Sequence, residues 1–182
     1  MTTRFFFHSN SKDEAPGRGC QEVIEQCNVH KFDELAKIKH WRRQMSNFAI
    51  SPFIFNGLEW NTVEHAFQAA KFINTDKQLY FSFSLNSGSE FSKQSGNEAR
   101  KRRKSIVLNK DELAKWDEVK NSIMKELWLA RFTQDEQSKN VLLLTQDAEL
   151  WHGMPRSAAM SRLTALEEVR EMLMKIISAS DH

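Results

Sequence analysis

The sequence predicts a mainly α-helical fold, a compact multi-helical single domain that carries one small β-hairpin. Apolar residues recur at helical spacing over residues 111–132 and again over 63–73. Two short apolar runs are separated by Asn56-Gly57, which is a strong signal for a tight hairpin turn. With 182 residues, the chain is long enough to bury a full core, so residues 1–182 are expected to form one domain.

The N-terminal part is predicted to begin with a short strand over residues 4–8. The turn-rich stretch 10–19 ends this strand. From residue 20 to residue 43 the apolar positions follow a helical pattern, so helix is predicted there.

The hairpin leads directly into the first well-defined helix. We predict strands over 48–55 and 58–60, joined by the Asn-Gly turn. Asn61 or Thr62 then serves as the helix N-cap, and Glu64 lies in the first turn, where the helix dipole favours an acidic side chain.

The second half of the chain contains further helical patterns, broken once by Ser87-Gly88-Ser89. We predict helices over 77–86, 96–104, 111–132, 136–145 and 162–177. The sequence contains no internal repeat and no low-complexity region.

Composition excludes several protein classes. The 26 basic and 24 acidic residues nearly balance, so the net charge of +2 does not by itself indicate a nucleic-acid-binding protein. Cys20 and Cys27 are the only cysteines, which fits a reducing compartment better than a disulfide-linked secreted domain. Because no targeting segment and no run of membrane-span length is present, we expect a cytoplasmic or nuclear protein without membrane contact.

A narrow polar stripe on the 63–73 helix is the strongest functional signal. Glu64, Gln68 and Lys71 follow each other at helical spacing, with apolar residues on both sides. Glu64 and Lys71 are separated by about 10 Å along the helix axis, which is too far for an ordinary ion pair. We therefore expect the stripe to face a pocket, with a ligand between its two charged ends.

Each end of the stripe has a chemical and a structural interpretation. A carboxylate between apolar surfaces is suited to proton transfer near neutral pH, but Glu64 could equally bond the hairpin backbone. Lys71 could bind an anion or, as a desolvated free amine, attack a carbonyl carbon, whereas a lysine whose charge simply reaches solvent is the ordinary alternative. Gln68 could orient a substrate hydroxyl group.

Metal and nucleotide-cofactor signatures are missing from the sequence. His65 follows Glu64, but position 68 is Gln, so the H-E-x-x-H zinc motif is not formed. The sequence also lacks the P-loop, the Rossmann fingerprint and the G-x-S-x-G nucleophile motif. We expect neither a metal nor a cofactor.

The densest charge lies in Arg100-Lys101-Arg102-Arg103-Lys104. Such a run is commonly a solvated helical turn, and it also resembles a localisation signal. Alternatively, Arg100, Arg102 and Arg103 contact the phosphates of DNA or RNA, since guanidinium groups match phosphate geometry.

Two further features are candidates for ligand contact. Ser46-Asn47-Phe48 supplies short polar groups just before the hairpin, where a turn or cap is the structural alternative. Trp116 lies in the long periodic segment 111–132, as a core residue or as the wall of a nucleotide pocket.

Taken with their spacing, these motifs resemble the NADAR superfamily of YbiA-like proteins. The resemblance is carried by Ser46-Asn47-Phe48-Ala49, by a strand pair ending in Trp60, and by Thr62-Val63-Glu64-His65-Ala66-Phe67-Gln68-Ala69-Ala70-Lys71-Phe72. Further matches follow at Trp116-Asp117 with Val119-Lys120, at Ala130-Arg131-Phe132 and at Leu142-Leu143-Leu144-Thr145. The resemblance covers residues 46 to about 150.

The resemblance implies a YbiA-like fold and an N-glycosidase that hydrolyses a ribosyl C1′–N bond. It gives Glu64 the role of an essential acid/base and Lys71 that of a Schiff-base partner for the opened ribose. The substrate it implies is ADP-ribosylated guanine or, alternatively, a phosphoribosylamino-pyrimidine intermediate of riboflavin synthesis. A non-catalytic module that binds ADP-ribose or another nucleotide is the alternative of a different class. The expected substrate contacts are Ser46, Asn47, Phe48, His65, Gln68 and Trp116.

Two departures from the family pattern affect the substrate. The glycine-rich segment of many bacterial members is absent near the C-terminus, so Arg156 and Arg162 are expected to contact phosphate instead. Residues 20–43 resemble a helical insertion that caps the pocket or binds a partner. The extra arginines favour ADP-ribose, which carries more phosphate than the riboflavin intermediate.

Overall fold

The structure, a computed structural model, describes residues 2–153 and 160–180. Its elements follow along the chain as β1 (Arg4–Phe7), a 3₁₀ helix (Gln26–Phe32), α1 (Asp33–Ala36), α2 (Trp41–Gln44), β2 (Phe53–Phe55), β3 (Leu58–Trp60), α3 (Val63–Ala70), α4 (Lys77–Ser82), 3₁₀ turns (Leu85–Ser87 and Phe91–Lys93), α5 (Gly96–Lys104), α6 (Lys110–Gln134), α7 (Glu136–Leu144), β4 (Glu149–His152), β5 (Ser161–Arg162) and α8 (Thr164–Ser180). The mainly helical fold with a β-hairpin is therefore confirmed. Contacts divide the chain into two compact units, one running up to Ser46 and resuming at Glu136, the other spanning Asn47–Asp135.

The first unit contains a three-stranded mixed sheet. β1 pairs in parallel with β4, so that Phe5 lies opposite Leu150, and β4 pairs antiparallel with β5. The sequence predicts β1 but not this sheet. The two parallel strands are separated by most of the chain, and β4 has only four residues, so no local pattern identifies the pairing.

The segment 20–43 is only partly helical, which corrects the prediction of helix throughout. Residues before the 3₁₀ helix follow an irregular path, with Val23 bridged to Arg4. The Glu22 carboxylate holds this path by accepting hydrogen bonds from the backbone N–H groups of Phe6, Gly17 and Gly19. It also forms a buried ion pair with Arg42 at 2.6 Å.

The later part of this segment belongs to the core of the first unit. Phe32 and Trp41 contact Phe5 edge to face, with ring centroids 5.0 and 5.2 Å apart. All three side chains are at most 2% exposed. Residues 26–44 therefore contribute side chains to the core of this unit.

In the second unit the hairpin forms around the predicted Asn-Gly turn, but its first strand covers only Phe53–Phe55 instead of residues 48–55, because the carbonyl groups of Asn47 and Phe48 bond Glu64 and Gly96. Asn56 and Gly57 both have positive φ angles, 51° and 75°, as a type I′ turn requires. Thr62 is the N-cap of α3 and accepts a hydrogen bond from the His65 backbone N–H. The longest helix, α6, extends the predicted 111–132 segment by one to two residues at each end and begins with a capping box between Asn109 and Glu112.

Among the residues described, no helix combines the length and apolar character that crossing a membrane requires.

Candidate functional site

Glu64, Gln68 and Lys71 are joined by hydrogen bonds along α3. The Lys71 Nζ donates to Gln68 Oε1, and the Gln68 Nε2 donates to Glu64 Oε1, each over 2.6 Å. Glu64 and Gln68 are both 7% exposed. The amide of Gln68 thus spans the gap between the two charged groups that the sequence predicted to hold a ligand.

Lys71 lies against two aromatic rings. Its Nζ is 5.2 Å from the centroid of the Trp116 ring and 5.6 Å from that of Phe67. The two rings contact each other edge to face, with centroids 4.8 Å apart. The negative faces of the rings attract the ammonium group and restrict where it can lie.

The pKa of Lys71 is lowered from 10.5 to about 8, mainly by burial and then by the nearby charge of Arg103, with a smaller effect of Lys120. The charge of Glu64 opposes this shift. The neutral, nucleophilic amine is therefore more populated near pH 7 than in an ordinary lysine. An ordinary lysine would be almost fully protonated.

Burial also raises the pKa of Glu64 above its usual 4.5. The hydrogen bond from Gln68 and the charges of Lys71 and Arg100 act in the opposite direction but are smaller. The pKa of the acid is thus raised and the pKa of the base is lowered, so the two pKa values lie closer together than in free side chains. This is the pattern of groups that exchange protons with a substrate.

The backbone of Glu64 is held by the segment that precedes the hairpin. The Glu64 N–H donates to the Asn47 carbonyl oxygen over 3.0 Å. The Asn47 side chain is itself fixed, because its Oδ1 accepts a 2.6 Å hydrogen bond from the indole N–H of Trp128. Asn47, a predicted substrate contact, therefore positions Glu64 and links it to α6.

Gly96, at the start of α5, allows this helix to approach Glu64. A Cβ atom on Gly96 would lie 2.9 Å from the Glu64 Cβ and 2.8 Å from the Phe48 Cα. Both distances are shorter than real Cβ contacts allow, and neither neighbouring atom is the end of a flexible side chain. A residue without a side chain is needed here for packing, which also places Phe48 beside Glu64.

We expect Gly96→Ala to lower the free energy of unfolding by about 1–3 kcal/mol, as overpacking of a close contact does. The shift of α5 should also change the pH dependence of any activity that uses Glu64, because Arg100 on this helix acts on its pKa. Denaturant unfolding and a pH–rate profile measure the two effects. Asn97→Ala, at the neighbouring exposed position, is the control. Equal stability of both variants would contradict the packing argument.

His65 is fully buried, and both of its ring nitrogens are engaged within the fold. Its Nε2 lies 2.9 Å from the Phe91 carbonyl oxygen, and its Nδ1 lies 2.9 Å from Thr62 Oγ1. Since a carbonyl oxygen only accepts, Nε2 carries the proton and Nδ1 accepts from the hydroxyl group. His65 thereby ties α3 to the 3₁₀ turn at Phe91.

Three other predicted contacts lie in the remainder of the chain. Ser46, 3% exposed, is the last residue of the first unit, where its N–H donates to the Arg43 carbonyl oxygen. Arg162 forms ion pairs with Glu149 and Glu167, both at 2.9 Å, so its charge is compensated. Arg156 lies outside the described residues.

The basic run forms most of α5. Arg100, Arg102 and Lys104 are exposed, whereas Arg103 is half-buried and donates to the Ile106 carbonyl oxygen over 2.9 Å. Through their charges, Arg100 acts on Glu64 and Arg103 acts on Lys71. The run therefore combines an exposed cationic surface with two arginines whose charge reaches the candidate site.

A cavity of about 610 Å³ begins beside Lys71 and Trp116. Its remaining walls come from residues after α3 and from the first turns of α6: Ala70, Ile73, Asn74, Thr75, Asn109, Asp111, Glu112, Lys115, Glu118 and Val119. Of the predicted stripe only Lys71 lines this cavity, and neither Glu64 nor Gln68 belongs to its wall. Val119, three residues after Trp116, follows the apolar period of a core residue, and only the structure shows that it is 44% exposed.

Over the described residues, no three His, Cys, Asp or Glu side chains converge as a metal site would require.

Comparison with known proteins identifies similar sequences and a similar solved structure. Over 105 residues the chain is 32% identical to proteins named N-glycosidase YbiA from Escherichia coli (strain K12) and Shigella flexneri serotype 5b (strain 8401). The aligned region covers 58% of this chain and 59% of each relative, so the chain spans less than two thirds of these curated relatives. The NMR structure of the E. coli protein YbiA superposes with a TM-score of 0.56 at 27% identity, covering 78% of this chain and 82% of that one.

The match to a family model is broader and includes the candidate site. The model of the NADAR domain matches residues 36–159, a range that contains Glu64, Gln68, Lys71 and Trp116. Because this range is more than half of the chain, the protein belongs to the NADAR domain family.

Proposed function

We propose that the protein is an N-glycosidase that hydrolyses the C1′–N bond between a ribosyl group and a base. The observation that carries this proposal is the line from Glu64 through Gln68 to Lys71, in which a buried acid and a base of lowered pKa are held by 2.6 Å hydrogen bonds. Relatives named N-glycosidase are 32% identical to the chain over 105 residues, which supports this class of reaction.

In this proposal Glu64 and Lys71 divide the chemistry between them. Protonated Glu64 gives its proton to the departing nitrogen as the C1′–N bond breaks, which makes the base a neutral leaving group. The neutral Lys71 amine forms a bond to C1′, and the proton that Nζ then loses returns to the Glu64 carboxylate. The adduct opens to an imine, and water hydrolyses it to the free sugar and the original amine.

The proposed substrate carries ADP-ribose on guanine. Arg100 and Arg103 place two positive charges close enough to act on Glu64 and Lys71, and such charges suit a pyrophosphate, whereas Lys120 is already paired with Asp117 at 2.6 Å. Arg162 no longer supports this choice, because two glutamates compensate its charge. The phosphoribosylamino-pyrimidine alternative has the same bond to be cleaved but only one phosphate.

The guanine is proposed to be presented in a nucleic acid. Arg100 and Arg102 on the exposed face of α5 supply charge for phosphate contacts next to the site, and Arg103 points a third guanidinium group toward the loop that follows. Such contacts would make binding weaken steeply with salt.

Turnover of defined substrates tests the proposal. We expect release of ADP-ribose from an oligonucleotide containing ADP-ribosylated guanine, faster than from the free modified nucleoside, with an advantage that shrinks as salt is raised. The phosphoribosylamino-pyrimidine serves as the comparison substrate. A ligand-induced thermal shift without product from any of the three would identify a binding module instead. Equal rates on oligonucleotide and nucleoside at low salt would remove the nucleic-acid contact while leaving the reaction in place.

A further inference from the structure

The wall of the cavity beside Lys71 combines apolar surface with neutral polar groups. Trp116, Ile73 and Val119 supply ring and aliphatic surface, and Asn74 and Thr75 supply neutral polar groups at the rim. Its volume of about 610 Å³ is within the range that holds a small organic ligand. The cavity thus offers an apolar surface of the kind that a planar heterocycle contacts.

The charged side chains of this wall are mostly acidic. Asp111, Glu112 and Glu118 outnumber Lys71 and Lys115, so the wall does not favour a phosphate. Glu112 is engaged in the capping box, where its Oε2 accepts the Asn109 N–H over 2.8 Å. Across the described part of the chain, Asp111 and Glu118 form no ion pair, so their oxygens are available to a ligand.

The positive charges around Lys71 come from other residues. Arg103 and Lys120 lower its pKa, yet in the described structure neither belongs to the cavity wall. Lys71 therefore separates an acidic, partly apolar cavity from a cationic surrounding. A substrate with a base at one end and phosphates at the other matches this division.

We propose that the cavity is the leaving-group subsite of the proposed N-glycosidase and takes an amino-substituted nucleobase that presents N–H donors. The proposal rests on the proposed function, since Lys71 must contact C1′ for the base to lie beyond it. Trp116 and Val119 contact the ring of the base, while Asp111 and Glu118 accept hydrogen bonds from its N–H edge. The phosphates lie outside this wall, toward Arg103.

Guanine suits such a wall better than hypoxanthine, because its exocyclic amine adds a donor for a carboxylate. We expect 9-methylguanine to bind the protein about tenfold more tightly than 9-methylhypoxanthine, as loss of one hydrogen bond to a charged group implies. Isothermal titration calorimetry at constant pH and salt measures both dissociation constants. No binding of 9-methylguanine, or equal binding of the two bases, would overturn the assignment.

Charge-neutralising substitutions locate the selectivity on α6. In the double variant Asp111→Asn, Glu118→Gln the preference should fall to about twofold or less, while the dissociation constant of ribose 5-phosphate, which carries no base, changes by less than about twofold. Glu126→Gln is the matched control, since Glu126 is exposed on the same helix outside this wall. A double variant that keeps the preference, or that loses ribose 5-phosphate binding equally, would overturn the subsite.

These binding measurements require no turnover. They therefore test the base subsite independently of the proposed N-glycosidase reaction. If base selectivity depends on Asp111 and Glu118 but no ribosyl substrate is cleaved, the proposed reaction is wrong and the base site stands. If substrate is cleaved without base selectivity, the reaction stands and the subsite is wrong.

Discussion

The variant Glu64→Gln should lose about a thousandfold in kcat/KM for ADP-ribose release, the range expected when a general acid is removed. Glutamine keeps the size of the side chain and can still hydrogen-bond Gln68, but it has no proton to give to the departing nitrogen. Initial rates on the modified oligonucleotide measure the effect. Glu59→Gln, at an exposed position of the hairpin, controls for loss of a negative charge in the same unit. Retention of more than about a tenth of the wild-type rate would remove Glu64 from the reaction.

The same variant should be at least as stable as the wild type at pH 7. Burial raises the pKa of Glu64 in the folded state, so the protonated carboxyl favours folding and the carboxylate disfavours it. This favourable contribution is complete below the ordinary pKa of 4.5 and is lost as pH rises through the higher folded value. Glutamine does not titrate, so unfolding free energies measured from pH 4.5 upward should depend less on pH in the variant. A large loss of stability at neutral pH would instead mark Glu64 as a structural carboxylate.

Local chemistry explains which features could be predicted from sequence. Asn56-Gly57 requires positive φ angles whatever surrounds it, and Thr62 caps α3 through its own side chain. The spacing of Glu64, Gln68 and Lys71 on one helix likewise follows from helical geometry alone. These predictions use interactions within a few residues, and the structure contains the corresponding turn, cap and stripe.

Features that depend on distant residues could not be predicted in this way. The pairing of β1 with β4 and the contacts of Arg162 with Glu149 both join segments without a local signature. Arg162 was expected to contact phosphate in place of the missing glycine-rich segment. Its acidic partners could not be identified from the sequence, because β4 and β5 bring them together only in the folded chain. The cavity wall on α6 was missed for a related reason, since helical periodicity cannot tell an apolar residue in the core from one such as Val119 at a cavity.

Gln68 fills the gap that the helical spacing of Glu64 and Lys71 predicted. The separation of Glu64 from Lys71 indicated a gap for a ligand, whereas the amide of Gln68 bonds to both. In the proposed reaction the ribose therefore lies beside this line, toward Trp116, rather than within it. We accordingly propose that Gln68, which bonds to both groups, is a positioning residue for the acid and the amine.

Lys71→Arg should reduce the rate of base release by about a hundredfold or more, because arginine keeps the charge but cannot act as a nucleophile. If Lys71 forms the proposed imine, treatment of wild-type protein with borohydride during turnover should reduce it and add the mass of the sugar moiety at this residue. The variant should give no adduct. Lys77→Arg, on the exposed face of α4, serves as the matched control and should be modified at Lys71 like the wild type.

The pH dependence of the rate distinguishes two roles for Lys71: a nucleophile that attacks C1′ and a cationic contact that holds the substrate. Its pKa of about 8 means that the neutral amine increases as pH rises and predominates above that value. Because the wild-type rate also depends on the proton of Glu64, the residual rate of Glu64→Gln isolates Lys71: if the amine attacks C1′, this rate should rise with pH until the amine is neutral and then level off. If Lys71 acts as an ammonium group that holds the substrate, the rate should instead fall above pH 8. A falling profile together with an absent borohydride adduct would leave Glu64 as the acid and require water itself to attack C1′.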